Sequence, residues 1–304
     1  MTADSPSDLN GTLDAIWVYP IKSCAGISLR EAELTDTGLA YDRAWMVVDS
    51  QGEFVSQREL PRMALVQPSF KLGQLVLRAP GMLSLHLALD AAEGPARVRV
   101  WDDEVDAFDM GDTAAQWVSD FLGADAPAHL KSLRLIRFDP EARRRCDPRW
   151  TGDDTGFAQF ADGFSLLVAS QASLDELNAR LGAAGQAPVD MRRFRPNLVI
   201  GGWGAHDEDR CGPVTLGDGD GDGDGNGEAS AEIVPVKPCS RCPIPDIDPD
   251  TATPGHAVGD ALRTYRQDAR VGGAITFGMN AIVRRGDGQL LRVGQPVRAD
   301  LRFD

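Results

Sequence analysis

Lys237-Pro238-Cys239-Ser240-Arg241-Cys242-Pro243-Ile244-Pro245-Asp246-Ile247-Asp248-Pro249-Asp250-Thr251 is the stretch on which the reading of this chain turns. It follows an apolar run at 233–236 that has strand character. Four prolines interrupt it, each lacking a backbone N–H, which predicts a rigid loop leaving the end of a strand. A thioredoxin-like C-x-x-C pair would instead open a helix in a βαβ unit, whereas Pro243 and Pro245 follow here immediately. A structural zinc site would need two more Cys or His ligands. His256 is the nearest, and a fourth is not evident. Two readings stay open. One is a thiolate flanked by Lys237 and Arg241, whose positive charge favours ionisation and metal ligation. The other is a pair of inert loop cysteines.

Working outward, the chain reads mainly as short strands separated by turns. Strands are expected at 13–19, 44–48 and 53–56, the last two joined by the turn Asp49-Ser50-Gln51-Gly52. Leu83, Leu85, Leu87 and Leu89 alternate as in a half-buried strand with His86 on the opposite face, and 97–101 repeats the alternation. Asp112 can cap a helix whose apolar stripe is Ala114, Trp117, Val118 and Phe121, ended by Gly123. The Ala/Pro-rich segment 123–131 is a candidate domain boundary, after which Leu133 and Leu135 resume a strand. A second helix is expected at 173–181, with Ser173 and Glu176 at capping-box spacing. Further strands are expected at 197–200, 281–284, 290–293 and 297–301, with a short helix at 261–266. The expected fold class is therefore mainly β with a few helices (α+β). The alternating Gly/Asp run 217–227 fails as an EF-hand, because counting from Asp218 or Asp220 puts Ala229 or Ala231 where the bidentate Glu belongs. It reads as a flexible surface loop.

The net charge of −15 argues against nucleic-acid binding, since phosphate contacts need Lys and Arg. No apolar run approaches the ~20 residues that span a bilayer, and the polar start of the chain resembles neither a secretory signal nor a transit peptide. No membrane association is expected, and the expected location is the cytosol. The cysteines Cys24, Cys146, Cys211, Cys239 and Cys242 are odd in number and scattered, which spells neither a disulfide framework nor an iron–sulfur site. Cys146, after three arginines, reads as a surface cysteine in a polar loop, and Cys211 as a loop cysteine without a partner. Against the acidic background, cationic segments stand out. Tyr19-Pro20-Ile21-Lys22-Ser23-Cys24-Ala25-Gly26 ends a strand in a turn suited to an anionic phosphate. Arg192-Arg193-Phe194-Arg195-Pro196-Asn197 leads an arginine cluster into a buried strand. Arg43 is a further cationic candidate, whose plainer reading is a surface ion pair.

Taken together, these segments resemble the MOSC family, and within it the branch containing the mitochondrial amidoxime-reducing components and their bacterial relatives. The resemblance runs through 19–23, 38–43, 170–174, 194–197, 239–250, Phe277-Gly278 and Val293-Gly294 in order. It implies an N-terminal β-barrel-like domain at 11–125 and a MOSC β-barrel domain at 130–302, with a molybdenum–molybdopterin cofactor between them. By the same carry-over Cys242 matches the molybdenum ligand. Lys22, Ser23 and Arg43 match residues that hold the pterin and its phosphate, and Arg195 and Asn197 match the opposite wall. Ser240 and Arg241 flank the ligand, and Ser170 is a further match. Asp246, with Asp248, occupies the acidic part of the loop and is the candidate proton relay. Two features depart from the pattern: the loop continues Thr251-Ala252-Thr253 where the family has Thr-Gly, and the Gly/Asp insertion precedes the cofactor strand.

The implied activity is reduction of small N-hydroxylated compounds such as amidoximes, hydroxylamines and N-hydroxylated bases. Electrons would come from an external flavin, haem or iron–sulfur reductase. The rival readings are a non-catalytic carrier of the cofactor or a sulfur-transfer protein, and a zinc or thiol-redox module built on Cys239 and Cys242.

Overall fold

The computed structural model describes residues 7–217 and 231–302. Of the Gly/Asp run, 218–227 lies outside the described residues. Seven strands close into a barrel: Leu9–Val18, Leu166–Ser170, Leu198–Gly201, Cys211–Leu216, Ala231–Ser240, Ala274–Arg285 and Pro296–Leu301. Pairing of Leu166–Ser170 with Ala274–Arg285 completes the ring. An odd-membered ring cannot alternate direction all the way round. One pair must be parallel, and it is Leu166–Ser170 with Leu198–Gly201. A parallel pair needs a crossover, which the helix Gln171–Ala183 supplies. The interior is filled by alternate apolar residues of the strands, among them Leu13, Ile16, Val168, Ile200, Val214, Ile233 and Val297.

The other body is a four-stranded sheet in the order Trp45–Val48, Arg134–Phe138, Asp103–Asp109, Gly94–Val100. It is joined by the meander Gln67–Lys71, Gln74–Arg78, Leu85–Ala88 and by the helix Asp112–Leu122. Trp45, Met63, Leu75, Leu77, Phe121 and Leu135 share its core.

Strand pairings cross the segment 123–131. Arg134–Phe138 lies beyond that segment yet pairs with Trp45–Val48, and the first strand of the chain belongs to the barrel of the second half. Both are long-range strand pairings, which composition along the chain does not register.

Several element bounds also shift. The helix expected at 173–181 is Gln171–Ala183, because the Ser170 hydroxyl, not that of Ser173, caps it by accepting from Ser173 N. Glu176 pairs with Arg180 and makes no capping box. The helix expected at 261–266 is Ala257–Arg263. Asp112 opens its helix without capping it, Gly111 holding the cap position. The strand expected at 233–236 runs from Ala231 to Ser240, carrying Pro235 and Pro238 inside it. Each proline sits where the register with Ala274–Arg285 shifts, since a residue without an N–H cannot fill a ladder position. Leu83 is outside its expected strand and exposed. Cys146 and Cys211 are not loop-surface residues: both are buried, Cys146 against Ile282 and Phe164, Cys211 at the start of a barrel strand.

Candidate functional site

A cleft of about 780 Å³ opens where the barrel mouth meets the N-terminal body. Four of its segments carry the residues expected from the sequence. The turn after Leu9–Val18 brings Lys22 and Ser23, and the turn before Trp45 brings Arg43. The segment before Leu198–Gly201 brings Arg195 and Asn197, and the end of the proline-bulged strand brings Cys239, Ser240, Arg241 and Cys242. Three of these residues have left-handed backbones: Ser23 (φ 66°), Arg43 (φ 50°) and Arg195 (φ 59°). Each costs about 1–2 kcal/mol for a side chain bearing Cβ, so the surrounding contacts hold them there.

Lys22 is buried, its Nζ donating to the Phe160 carbonyl at 2.9 Å and to Asp162 Oδ1 at 2.5 Å. Burial pushes the Lys22 pKa down, and Asp162 works against that. The Asp162 side chain is largely exposed, and the Lys22 charge with hydrogen bonds from Lys22 and Trp101 holds its carboxyl well below the usual range. Arg43 Nη1 donates to Asp42 at 2.5 Å and to Asn197 Oδ1 at 3.1 Å, and Nη2 to the Arg195 carbonyl at 3.0 Å. Arg43 is thus no surface ion pair but a tie between the two bodies. Asn197, itself buried, also accepts from Leu167 N and donates to the Trp17 carbonyl, so it locks three segments at the cleft floor. Arg195 Nη1 donates to the Cys24 carbonyl. Burial, and then the neighbouring Arg43, work against its charge.

Arg241 donates from Nη1 to Cys239 Sγ at 3.0 Å and from Nη2 to the Phe194 carbonyl at 3.0 Å. Its guanidinium is therefore set on Cys239 and not on Cys242, and Lys237 lies over the rings of Trp150 and Phe164. The Arg241 Nε is a buried donor with no protein partner.

Two expected residues are not on this cleft. Ser170 is fully buried, its hydroxyl spent on the helix cap and on Ser173 Oγ at 2.7 Å. Asp246 accepts from Gly259 N at 3.0 Å and lines an adjoining cavity of about 620 Å³, with which the cleft shares Arg241 and Cys242. Asp248 is likewise taken up, by Arg193, Thr251 and backbone N–H groups. Conversely, Asp162, Arg58, Ser56 and Asn280 line the cleft without having been expected. Asp162 is 140 residues from Lys22 along the chain and lies in no motif, so no local signal pointed to it.

Chemically, the cleft is a concentration of cations in an acidic protein, with one carboxylate on its rim, an unused Arg241 donor and two half-buried thiols, Cys239 and Cys242. These donors fit an anionic cofactor that carries a soft, thiolate-seeking metal. They do not fit zinc. Among the described residues no group of three or more His, Cys, Asp or Glu is placed to hold a metal, and His256 is exposed and paired with Asp260. Among the described residues no helix is long and apolar enough to cross a membrane.

Comparison with known proteins gives a consistent picture. Residues 10–125 match the MOSC N-terminal beta barrel domain and 156–298 the MOSC domain. The chain is 34% identical over 305 residues to mitochondrial amidoxime-reducing component 1 of Mus musculus, covering 94% of this chain and 82% of that one. It is 33% identical over 251 residues to mitochondrial amidoxime reducing component 2 of Rattus norvegicus, covering 79% and 68%. Against component 1 of Homo sapiens it is 32% identical over 267 residues, covering 84% and 72%.

Proposed function

This chain belongs to the MOSC family, and on that premise we propose that it is a molybdenum-cofactor-dependent oxidoreductase that reduces N-hydroxylated small molecules. One observation carries the reading. Every residue expected to bind the cofactor except Ser170 lines a single cleft, although they come from segments scattered between positions 22 and 242.

In this reading Cys242 would ligate the metal, Lys22, Ser23, Arg43 and Arg195 would hold the phosphate end, and Ser240 and Arg241 would flank the ligand. When bound, the cofactor supplies two-electron redox chemistry of the kind that cleaves an N–O bond. For an amidoxime the balance is two electrons and two protons taken up, the N–O bond broken, and an amidine and water released. The protein's part is to bind, orient and pass protons. Arg43 and Lys22 are set by Asp42, Asn197, Phe160 and Asp162 before any ligand arrives, so little ordering remains to be done on binding. Substrate would approach through the adjoining cavity, on whose wall Asp246 stands with Cys242 and can relay protons. Electrons would come from a separate flavin, haem or iron–sulfur reductase. The relatives named above bear a mitochondrial name.

The test is elemental and pterin analysis of wild-type and Cys242→Ser protein, with benzamidoxime reduction driven by a chemical reductant. Wild-type should hold about one molybdenum per chain and turn over; the variant should lose more than nine-tenths of both. Equal molybdenum and activity in the variant would defeat the ligand assignment. Wild-type that holds the cofactor, releases it readily and does not reduce benzamidoxime would be a carrier.

A further inference from the structure

Tyr19 precedes the Lys22 turn and is not itself on the cleft wall. Its ring is fully buried, yet its hydroxyl has no hydrogen-bond partner. Two guanidiniums lie over that one ring: the central carbon of Arg43 is 4.5 Å from its centroid and that of Arg195 is 4.2 Å away. The two arginines are also joined directly, Arg43 Nη2 donating to the Arg195 carbonyl. Arg43 has Asp42 as a counter-ion. Arg195 has no carboxylate in ion-pair contact among the described residues; its guanidinium meets the Cys24 carbonyl and the Tyr19 ring. Two like charges held around one buried ring repel, as the effect of Arg43 on Arg195 shows, and the electron-rich π system of a desolvated aromatic ring offsets that repulsion. Gly26 makes room for the ring: a Cβ there would stand 2.5 Å from Tyr19 Cε1 and 2.8 Å from Cδ1.

We propose that Tyr19 is a positioning residue whose ring holds Arg43 and Arg195 together as one anion-binding unit, so that a phosphate group entering the cleft meets both guanidiniums already in place. The proposal rests on the reading of the cleft as a phosphate-bearing cofactor site. The hydroxyl plays no part, since it is buried and unbonded; the π face does the holding.

Three variants test this, Tyr19→Phe, Tyr19→Leu and Gly26→Ala. Affinity for inorganic phosphate would be measured by calorimetry on cofactor-free protein, and pterin retained per chain on protein as isolated. Tyr19→Phe should stay within about twofold of wild-type on both, because phenylalanine keeps the face. Tyr19→Leu should bind phosphate about tenfold or more weakly and retain correspondingly less pterin, as expected for two lost cation–π contacts. Gly26→Ala leaves the ring in place chemically but displaces it, and should weaken phosphate binding about threefold or more. Wild-type affinity in a folded Tyr19→Leu, or a loss in Tyr19→Phe equal to that in Tyr19→Leu, overturns the proposal. If Tyr19→Leu does not fold, wild-type affinity in Gly26→Ala overturns it. Wild-type protein that takes up neither phosphate nor pterin would defeat the cofactor-site reading itself, and this inference with it, whereas wild-type binding with unaffected variants defeats this inference alone.

Discussion

Replacing Asp162 by Asn should destabilise the cofactor-free protein and make phosphate restore most of what is lost. Lys22 is nearly buried, its side chain 6% exposed, and its ammonium has Phe160 O and Asp162 as hydrogen-bond acceptors. Asn keeps the shape and removes the charge. A hydrogen bond to a charged group contributes about 1.5–3 kcal/mol. The Asp162 side chain is 75% exposed, so water screens and partly replaces the pair, and roughly half of that range, about 1–1.5 kcal/mol, is the better figure. In a chain of this order of size about 1 kcal/mol moves the melting temperature by about 2–4 °C, so a fall of about 3–5 °C is expected. Phosphate at tens of millimolar would give Lys22 a new anionic partner, and the difference between variant and wild-type should fall to less than half. The pH dependence has a definite sign. A carboxyl held low in the folded state contributes fully above the ordinary carboxylate value of about 4, and its contribution fades as pH falls through the lower folded value. The variant and wild-type curves should therefore converge in acid. Differential scanning fluorimetry with and without phosphate, repeated between pH 2 and 7, would check all three. Equal stability without phosphate, or a gap that phosphate does not narrow, would refute the reasoning.

Three other outcomes follow from burial and space. In native cofactor-free protein only Cys239 and Cys242 should react rapidly with Ellman's reagent, because burial covers Cys24, Cys146 and Cys211 and pushes their thiols up to about 12, about 11 and about 12; a third fast thiol would contradict the packing. Gly38→Ala should cost about 2 kcal/mol or more in urea unfolding, since φ is +111° and a Cβ would stand 2.6 Å from the Ser165 carbonyl, whereas Gly73→Ala, with φ +73° and nothing nearby, should cost only about 1 kcal/mol. Glu208 is fully buried, with Oε2 unpartnered, and burial pushes its pKa up. An acid raised in the folded state loses stability as pH rises from its ordinary value of about 4.3 through the folded one, so Glu208→Gln should gain on wild-type as the pH is raised from 5 to 8. The same difference at both pH values would contradict it.

What could be read along the chain was whatever depends on neighbours in sequence. The prolines around Cys239 and Cys242 excluded a helix there, the alternating leucines and valines marked strands, and Lys22, Arg43 and Arg195 stood out as cations in an acidic protein within motifs that resemble one family. What depends on contacts between distant segments was decided by the tertiary structure. Closing the seven-strand ring draws the first strand, Leu9–Val18, into the barrel of the second half, and Arg134–Phe138 crosses back to the first. That exchange places Lys22 and Arg43 opposite Cys242, brings Asp162 onto Lys22, and sets two arginines over Tyr19. It also buries Cys146, since a thiol's surroundings are fixed by which distant strand comes to lie beside it, and no local pattern encodes that pairing, whereas the Ser170 cap on Ser173 N is a local contact.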